Sequence, residues 1–229
     1  MWLMQLADGV RTVVTDRTGG FSTGPYDSRN LGTNVGDAPR AVARNRARTV
    51  AEIGAEAAVF MRQIHGVRVE RVFAAHEGVP DTDAVFTDTP GLALAALGAD
   101  CPGVVVAGDG WVGAAHAGRV GTLGGVVPAL VEAMRKAGAD DLAAFIGPGA
   151  CGRCYEVPEE MRAASPLAMR STTSWGTPAL DLRAALTAQL ADLGVPTAHD
   201  PRCTIETPEL YSYRRDTTTG RFATFIWLT

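Results

Sequence analysis

Residues 92–116 read LALAALGADCPGVVVAGDGWVGAAH, and the reading of this stretch decides the fold. Residues 92–97, 104–107 and 112–115 are apolar runs of strand length. They lack polar alternation, which predicts strands buried on both faces. Asp109-Gly110 between the last two runs is a hairpin signal. The hairpin returns the chain to its starting end, so Cys101, just before it, and His116, at its close, share one sheet edge.

Working outward, residues 58–64 and 67–72 predict two strands meeting at His65-Gly66. Residues 9–16 predict a strand that ends at the turn Thr18-Gly19-Gly20, and residues 19–36 form a long loop rich in Gly, Asn, Ser and Pro. A loop of that length in a compact domain is usually functional or mobile. Asp37 reads as an N-cap, with Pro39 in the first turn of a helix to about Ile53 whose arginines form a solvated face. Downstream, Val126, Val127, Leu130, Val131 and Met134 recur at helical spacing from Leu123, and Gly138 ends the helix. Residues 142–146 predict a strand. Asp181 begins a helix with Leu182, Leu186, Leu190 and Leu193 on one face, and residues 222–228 close the chain as a strand. Strands outnumber helices and include hairpins. The fold class expected is α+β with mixed sheets, not a doubly wound parallel sheet.

The chain has 229 residues, 46% hydrophobic and 20% charged, a globular composition. No repeat or linker divides it, so residues 1–229 are expected to form one domain, a monomer. Net charge is −4 and the pI about 5.6, so no basic field favours nucleic acid. Lys136 is the only lysine; the remaining positive charge is Arg, which suits bidentate carboxylate or phosphate recognition. No apolar run reaches the roughly 18 residues of a membrane span, and residues 1–14 lack a signal-peptide core. A cytoplasmic location is expected, with Cys101, Cys151, Cys154 and Cys203 reduced.

Cys101 follows Asp100 between two strongly apolar strands. A charge there needs a partner, which points to a polar pocket at the strand ends. Asp100 would raise the thiol's pKa, so a reactive thiolate needs a metal or a protonated His to offset it. The small residues after His116 leave room for a ligand, and a helix N-terminus follows that can attract an anion. Two imidazoles and a thiolate make a reasonable zinc set with the fourth position open. The same residues can also serve as a Cys–His nucleophilic pair. Spacing alone does not choose between these and an inert, buried thiol. Cys151-Gly-Arg-Cys154 is a CxxC with no second CxxC to complete a zinc site, and it reads as a structural loop. His76 and His199 fall in polar loops. Tyr211-Ser212-Tyr213-Arg214-Arg215 reads equally as a substrate wall, an anion clamp or a surface turn.

The ordered blocks Thr15-Asp16-Arg17-Thr18-Gly19-Gly20-Phe21-Ser22, Asn30-Leu31-Gly32, Asn45-Arg46, Gln63-Ile64-His65-Gly66, Asp83-Ala84-Val85, Ala99-Asp100-Cys101, His116-Ala117-Gly118, Tyr155-Glu156-Val157 and Tyr211-Ser212-Tyr213-Arg214-Arg215 carry a resemblance along essentially the whole chain. It resembles the laccase-domain family, also named polyphenol oxidases, purine nucleoside phosphorylases or peptidoglycan-editing factors. The resemblance implies a sandwich of mixed sheets flanked by helices, related in form to a group of cysteine hydrolases. It implies that His65, Cys101 and His116 are the catalytic and metal-binding trio, most often with zinc. It also implies phosphorolysis of adenosine, inosine or methylthioadenosine, with phosphate as co-substrate, and deamination of adenosine. Arg17, Asn30, Gln63 and Asp100 are the expected substrate contacts.

Two departures flank the trio. The family commonly reads His-Ala-Gly-Trp-Arg-Gly where this chain has Arg119-Val120 after Gly118, and its Cys-x-Pro is here Cys101-Pro102-Gly103. Three other readings compete with a zinc-dependent nucleoside enzyme. They are a Cys–His amide hydrolase editing peptidoglycan precursors, a copper-dependent polyphenol oxidase, and a nucleoside-binding protein without turnover. Copper has the least support, since multicopper centres need more than the four histidines present.

Overall fold

Burial on both faces is what the apolar runs encode, and a layered structure provides it. The computed structural model describes residues 1–4, 6–75 and 81–229; His76 lies outside them. Among these the strands are β1 (Trp2–Met4), β2 (Val10–Val14), β3 (Ala57–Phe60), β4 (Val69–Arg71), β5 (Ala84–Thr87), β6 (Leu92–Gly98), β7 (Gly103–Gly108), β8 (Trp111–His116), β9 (Ala143–Ile146), β10 (Arg170–Thr172), β11 (Pro178–Leu180), β12 (Thr197–His199) and β13 (Phe222–Leu228). The helices are α1 (Pro39–Ile53), α2 (Arg119–Gly124), α3 (Val126–Lys136), α4 (Glu159–Ala163), α5 (Leu182–Asp192) and α6 (Tyr213–Asp216). None of them is long and apolar enough to cross a membrane.

One sheet has the order β1-β2-β13-β6-β3 and a second the order β12-β9-β7-β8-β5-β4; β10 and β11 pair separately. Both large sheets are mixed: β3–β6, β4–β5 and β9–β12 run parallel, and the remaining pairs antiparallel. The sheets meet through one core containing Leu94, Ala96 and Ile226 from the first and Val105, Val112 and Ala114 from the second. The alternate residues Val104, Val106 and Ala115 pack instead with Val127, Leu130 and Leu186 of α3 and α5. Beyond the first sheet, Ala93, Ala95 and Phe225 pack with Ile53 and Leu31. Successive residues of β7 therefore serve different cores, and each buried valine contributes about 1.5–3 kcal/mol.

Three local expectations need correcting. Residues 58–64 and 67–72 do not make adjoining strands. β3 and β4 belong to different sheets, and the chain between them is loop. Asp37 does not cap α1. Its carboxylate accepts from Ser22 Oγ (2.6 Å) and Asn30 Nδ2 (2.9 Å), and Ala38 holds the cap position without a side-chain bond. The helix from Leu123 is two pieces, α2 and α3, broken at Gly125 with φ +83°. Asp181, by contrast, caps α5 as expected by accepting from the Ala184 N–H at 2.9 Å.

Candidate active site

The site forms at one end of the sandwich, where the chain crosses between sheets. The crossing from β3 to β4 carries His65, the crossing from β6 to β7 carries Cys101, and β8 ends on His116. β8 pairs Gly103 with His116 and Ala84 with Ala115. That register sets Asp83, just ahead of β5, beside His116.

Asp83 is fully buried and organises two members of the trio. Its carboxylate accepts from His116 Nδ1 (2.8 Å) and from the backbone N–H groups of Ile64 (3.1 Å), His65 (3.0 Å) and Gly66 (2.7 Å). His65 sits at φ +63°, in the left-handed region, and the bonds to Asp83 hold it there. Burial works against the Asp83 anion, but the bonds from His116, Gly66 and Ile64 prevail and lower its pKa.

His65 and His116 meet edge to face, with ring centroids 4.7 Å apart. One ligand atom from each of His65, Cys101 and His116 lies within 4.8 Å of the others. Gly118 makes the space between them. A Cβ there would stand 2.9 Å from Cys101 Sγ and 2.9 Å from His65 Cδ2, closer than side chains approach. Burial disfavours the Cys101 thiolate, but His116 and His65 outweigh it and hold the thiol down to about 6. Burial likewise opposes the His116 imidazolium, while Asp83 and Cys101 raise it to about 9.

The donor set suits a divalent transition metal. Asp83 engages His116 Nδ1, which leaves Nε2 free to bind a metal and fixes the ring orientation. His65, Cys101 and His116, spaced around the cradle at Gly118, would hold such an ion through two imidazoles and a thiolate and would supply Lewis-acid chemistry there.

The trio opens on a cavity of about 520 Å³ walled by Gly32, Thr33, Asn34, Arg46, Phe60, Gln63, Tyr213 and Arg221 among others. The loop of residues 19–36 reaches this wall because Asn45 secures it. Asn45 accepts from the Phe21 N–H (2.7 Å) and donates to Ser22 Oγ (2.9 Å) and the Asn30 carbonyl (2.8 Å). Gln63 is on the wall, its amide exchanging bonds with the Leu97 backbone (3.0 and 2.8 Å).

The other expected contacts are elsewhere. Arg17 donates to the Asp27 carbonyl and stacks on Tyr211, outside this cavity. Asn30 is buried, with its amide engaged by Gly32, Asp37 and the Arg221 N–H. Asp100 accepts from Thr204 Oγ1, Ser212 Oγ and the Arg214 N–H, each at 2.7 Å. The partners that its charge requires thus lie behind the thiol. Pro102 and Arg119 are also off the wall.

Sequence reasoning missed Asp83, Arg46 and Arg221. Asp83 gives the same signal as Asp100, a carboxylate opening an apolar run. Arg46 was expected on a solvated face. Instead its Nε donates to the Leu31 carbonyl (2.9 Å), it lies 4.0 Å over the Phe60 ring, and burial lowers it to about 10. It therefore stays charged at neutral pH.

Residues 11–229 match the family described as multi-copper polyphenol oxidoreductase laccase. A purine nucleoside phosphorylase of Streptomyces griseus is 51% identical, with 93% of this chain and 92% of that protein covered. One of Streptomyces coelicolor is 50% identical, with 96% of each covered. Among solved structures, a Neisseria meningitidis protein of family DUF152 superposes with a TM-score of 0.89 at 34% identity, covering 99% of this chain and 98% of that one. YlmD from Geobacillus stearothermophilus gives 0.87 at 34%, covering 96% and 92%.

Proposed function

This chain belongs to the multi-copper polyphenol oxidoreductase laccase family, and we propose that it cleaves purine nucleosides with phosphate in the cavity floored by His65, Cys101 and His116. The observation that carries this reading is the trio itself, gathered around Gly118 at the base of a cavity of about 520 Å³. Small-molecule sites typically span about 300–1,000 Å³. The names of the relatives support the substrate class.

Phe60, Met61, Leu97 and Tyr213 give the wall apolar and aromatic surface against which a purine can lie. Arg46 and Arg221 bring guanidinium groups suited to phosphate. Gln63 is the expected substrate contact that lines the cavity, whereas Asn30 and Asp100 act by positioning Arg221 and the turn before Cys101. Zinc held by His65, Cys101 and His116 would supply a Lewis acid and the acidity it confers on water. The residues do the rest. The guanidinium groups hold phosphate for attack on the ribose anomeric carbon, and the bond to the purine nitrogen breaks with its electron pair on the base. Deamination of adenosine would use the same cavity, with water in place of phosphate and ammonia leaving the ring.

The test is an assay of purified protein with inosine or adenosine plus phosphate, read as free base and ribose 1-phosphate, alongside zinc content. Cys101→Ala should lower turnover by at least about 10³-fold while remaining folded. Zinc-loaded wild type that releases no base from either nucleoside would overturn the reading.

The run Cys101–His116–Asp83, a depressed thiol beside a raised imidazole oriented by a carboxylate, favours one second reading, a Cys–His amide hydrolase acting on peptidoglycan precursors. In that case chelation leaves activity intact and one equivalent of an alkylating agent on Cys101 abolishes it.

A further inference from the structure

Outside the cavity the chain builds a second thiol-rich cluster. Cys151-Gly-Arg-Cys154 is one turn, in which the N–H groups of Cys154 and Tyr155 both donate to the Cys151 carbonyl at 2.9 Å. Cys203-Thr-Ile-Glu206, beginning 52 residues after Cys151, repeats it. There the N–H groups of Glu206 and Thr207 donate to the Cys203 carbonyl at 3.2 and 2.9 Å. A parallel bridge between Gly149 and Cys203, with a bond from the Thr204 N–H to the Gly149 carbonyl (3.1 Å), lays the turns side by side. The three sulfurs and a Glu206 carboxylate oxygen then lie within 4.8 Å of one another. The sequence hides this set because its second half is CxxE, not CxxC.

Two further observations mark a ligand set. The Cys151 N–H donates to Cys203 Sγ at 3.4 Å, and the Cys151 thiol reaches the Glu206 carboxylate at 3.9 Å, so the two turns meet through their ligand atoms. Access is also graded. Cys154 and Cys203 are buried, Cys151 is half-buried and Glu206 is exposed, so a cation can enter from the Glu206 side and be enclosed by sulfur.

We infer that Cys151, Cys154, Cys203 and Glu206 bind one thiophilic divalent cation, zinc by preference, as a closed four-ligand site. Binding releases the thiol protons to solvent and moves no electrons. The site is structural. The Ala150 N–H, beside the first turn, donates to the Asp100 carbonyl (2.9 Å), and Thr204 Oγ1, inside the second, donates to the Asp100 carboxylate (2.7 Å). A cation joining the turns fastens the segment that presents Cys101. Cation binding at these four residues is independent of the chemistry in the cavity.

The experiment uses full-length protein with His65→Ala and His116→Ala, so that zinc content reports on the second site alone. Purified under reducing conditions, equilibrated with zinc and desalted, this variant should keep one zinc per chain by mass spectrometry. Adding Cys154→Ser and Cys203→Ser should remove it. Cobalt should give an intense sulfur-to-metal charge-transfer band in the first variant and none in the second. If the serine substitutions unfold the chain, Glu206→Gln keeps every thiol and should weaken zinc binding at least about tenfold. Wild type provides a further check, since chelation should expose Cys151 to alkylation. A folded double-histidine variant that retains no zinc, or a Cys151–Cys154 disulfide in protein purified under reduction, would overturn the inference.

Discussion

Cys101 and Cys154 lie in two clusters joined through Asp100, yet their surroundings drive the two thiols in opposite directions. At both positions burial disfavours the thiolate. Around Cys101 the neighbours are the imidazoles of His116 and His65, which reverse the effect and bring the thiol to about 6. Around Cys154 they are Cys151 and Cys203, potential anions that add to burial and push the thiol upward. Burial alone therefore does not say whether a cysteine is reactive. The charge that its neighbours can carry sets the direction. One cluster carries its own positive charge, and the other needs a cation supplied to it.

The surest way to break this contrast is through Asp83, which supports the positive charge on His116. Asp83→Asn keeps the size of the side chain but removes the anion. His116 should fall toward the ordinary histidine range and Cys101 should rise toward an ordinary thiol. Nucleoside turnover should drop by about 10–100-fold, the usual effect of losing a partner behind a ligating histidine. The decisive readout is the pH midpoint for alkylation of Cys101 in metal-free protein, which must move up from about 6. Lost turnover with an unmoved midpoint would reduce Asp83 to a scaffold for the His65 turn.

How much of this was legible in the sequence follows from the range of each interaction. β7, β8 and β13 were readable because burial on both faces leaves an uninterrupted apolar run, and Asp181 because an N-cap bond spans three residues. His65 had no pattern of its own, since its turn is held by a carboxylate 18 residues away. Asp37 fails as a cap because Ser22 and Asn30 hold one of its oxygens from across the loop and the Ala38 N–H holds the other. Arg46 looked solvated because helical periodicity cannot register Phe60, a ring from another element that covers it. The CxxC reads as incomplete for the same reason: its other half arrives only with the bridge at Cys203.

The contrast can be sharpened in the unaltered chain. In metal-free protein, labelling of Cys101 by an alkylating agent should rise with pH through about 6 and then level off, because the thiolate is complete above its own pKa. Cys154, displaced upward, should stay unlabelled through neutrality. At pH 7 an ordinary thiol near 8.5 is only a few per cent thiolate, so Cys101 should outpace it by on the order of tenfold. Peptide mass spectrometry across pH resolves both sites in one sample. Labelling of Cys101 that begins only above pH 8 would erase the distinction.

The smallest effect is expected at Arg119 and Val120, where the family resemblance leads one to expect Trp-Arg. Gly118 is the last residue of this segment that the trio requires, since a Cβ there would meet both Cys101 and His65. Beyond it the chain turns into α2; Val120 is 52% exposed, and neither side chain lies on the cavity wall. The thiol's environment comes from the strand crossings and Asp83, so Arg119→Trp with Val120→Arg should leave the Cys101 midpoint in place. Stability should stay within about 0.5 kcal/mol, as for other surface changes, and kcat/KM should move less than about threefold, under 0.7 kcal/mol of barrier. A KM that falls tenfold at constant kcat would mean that α2 closes over bound nucleoside, adding a wall that the free protein does not present.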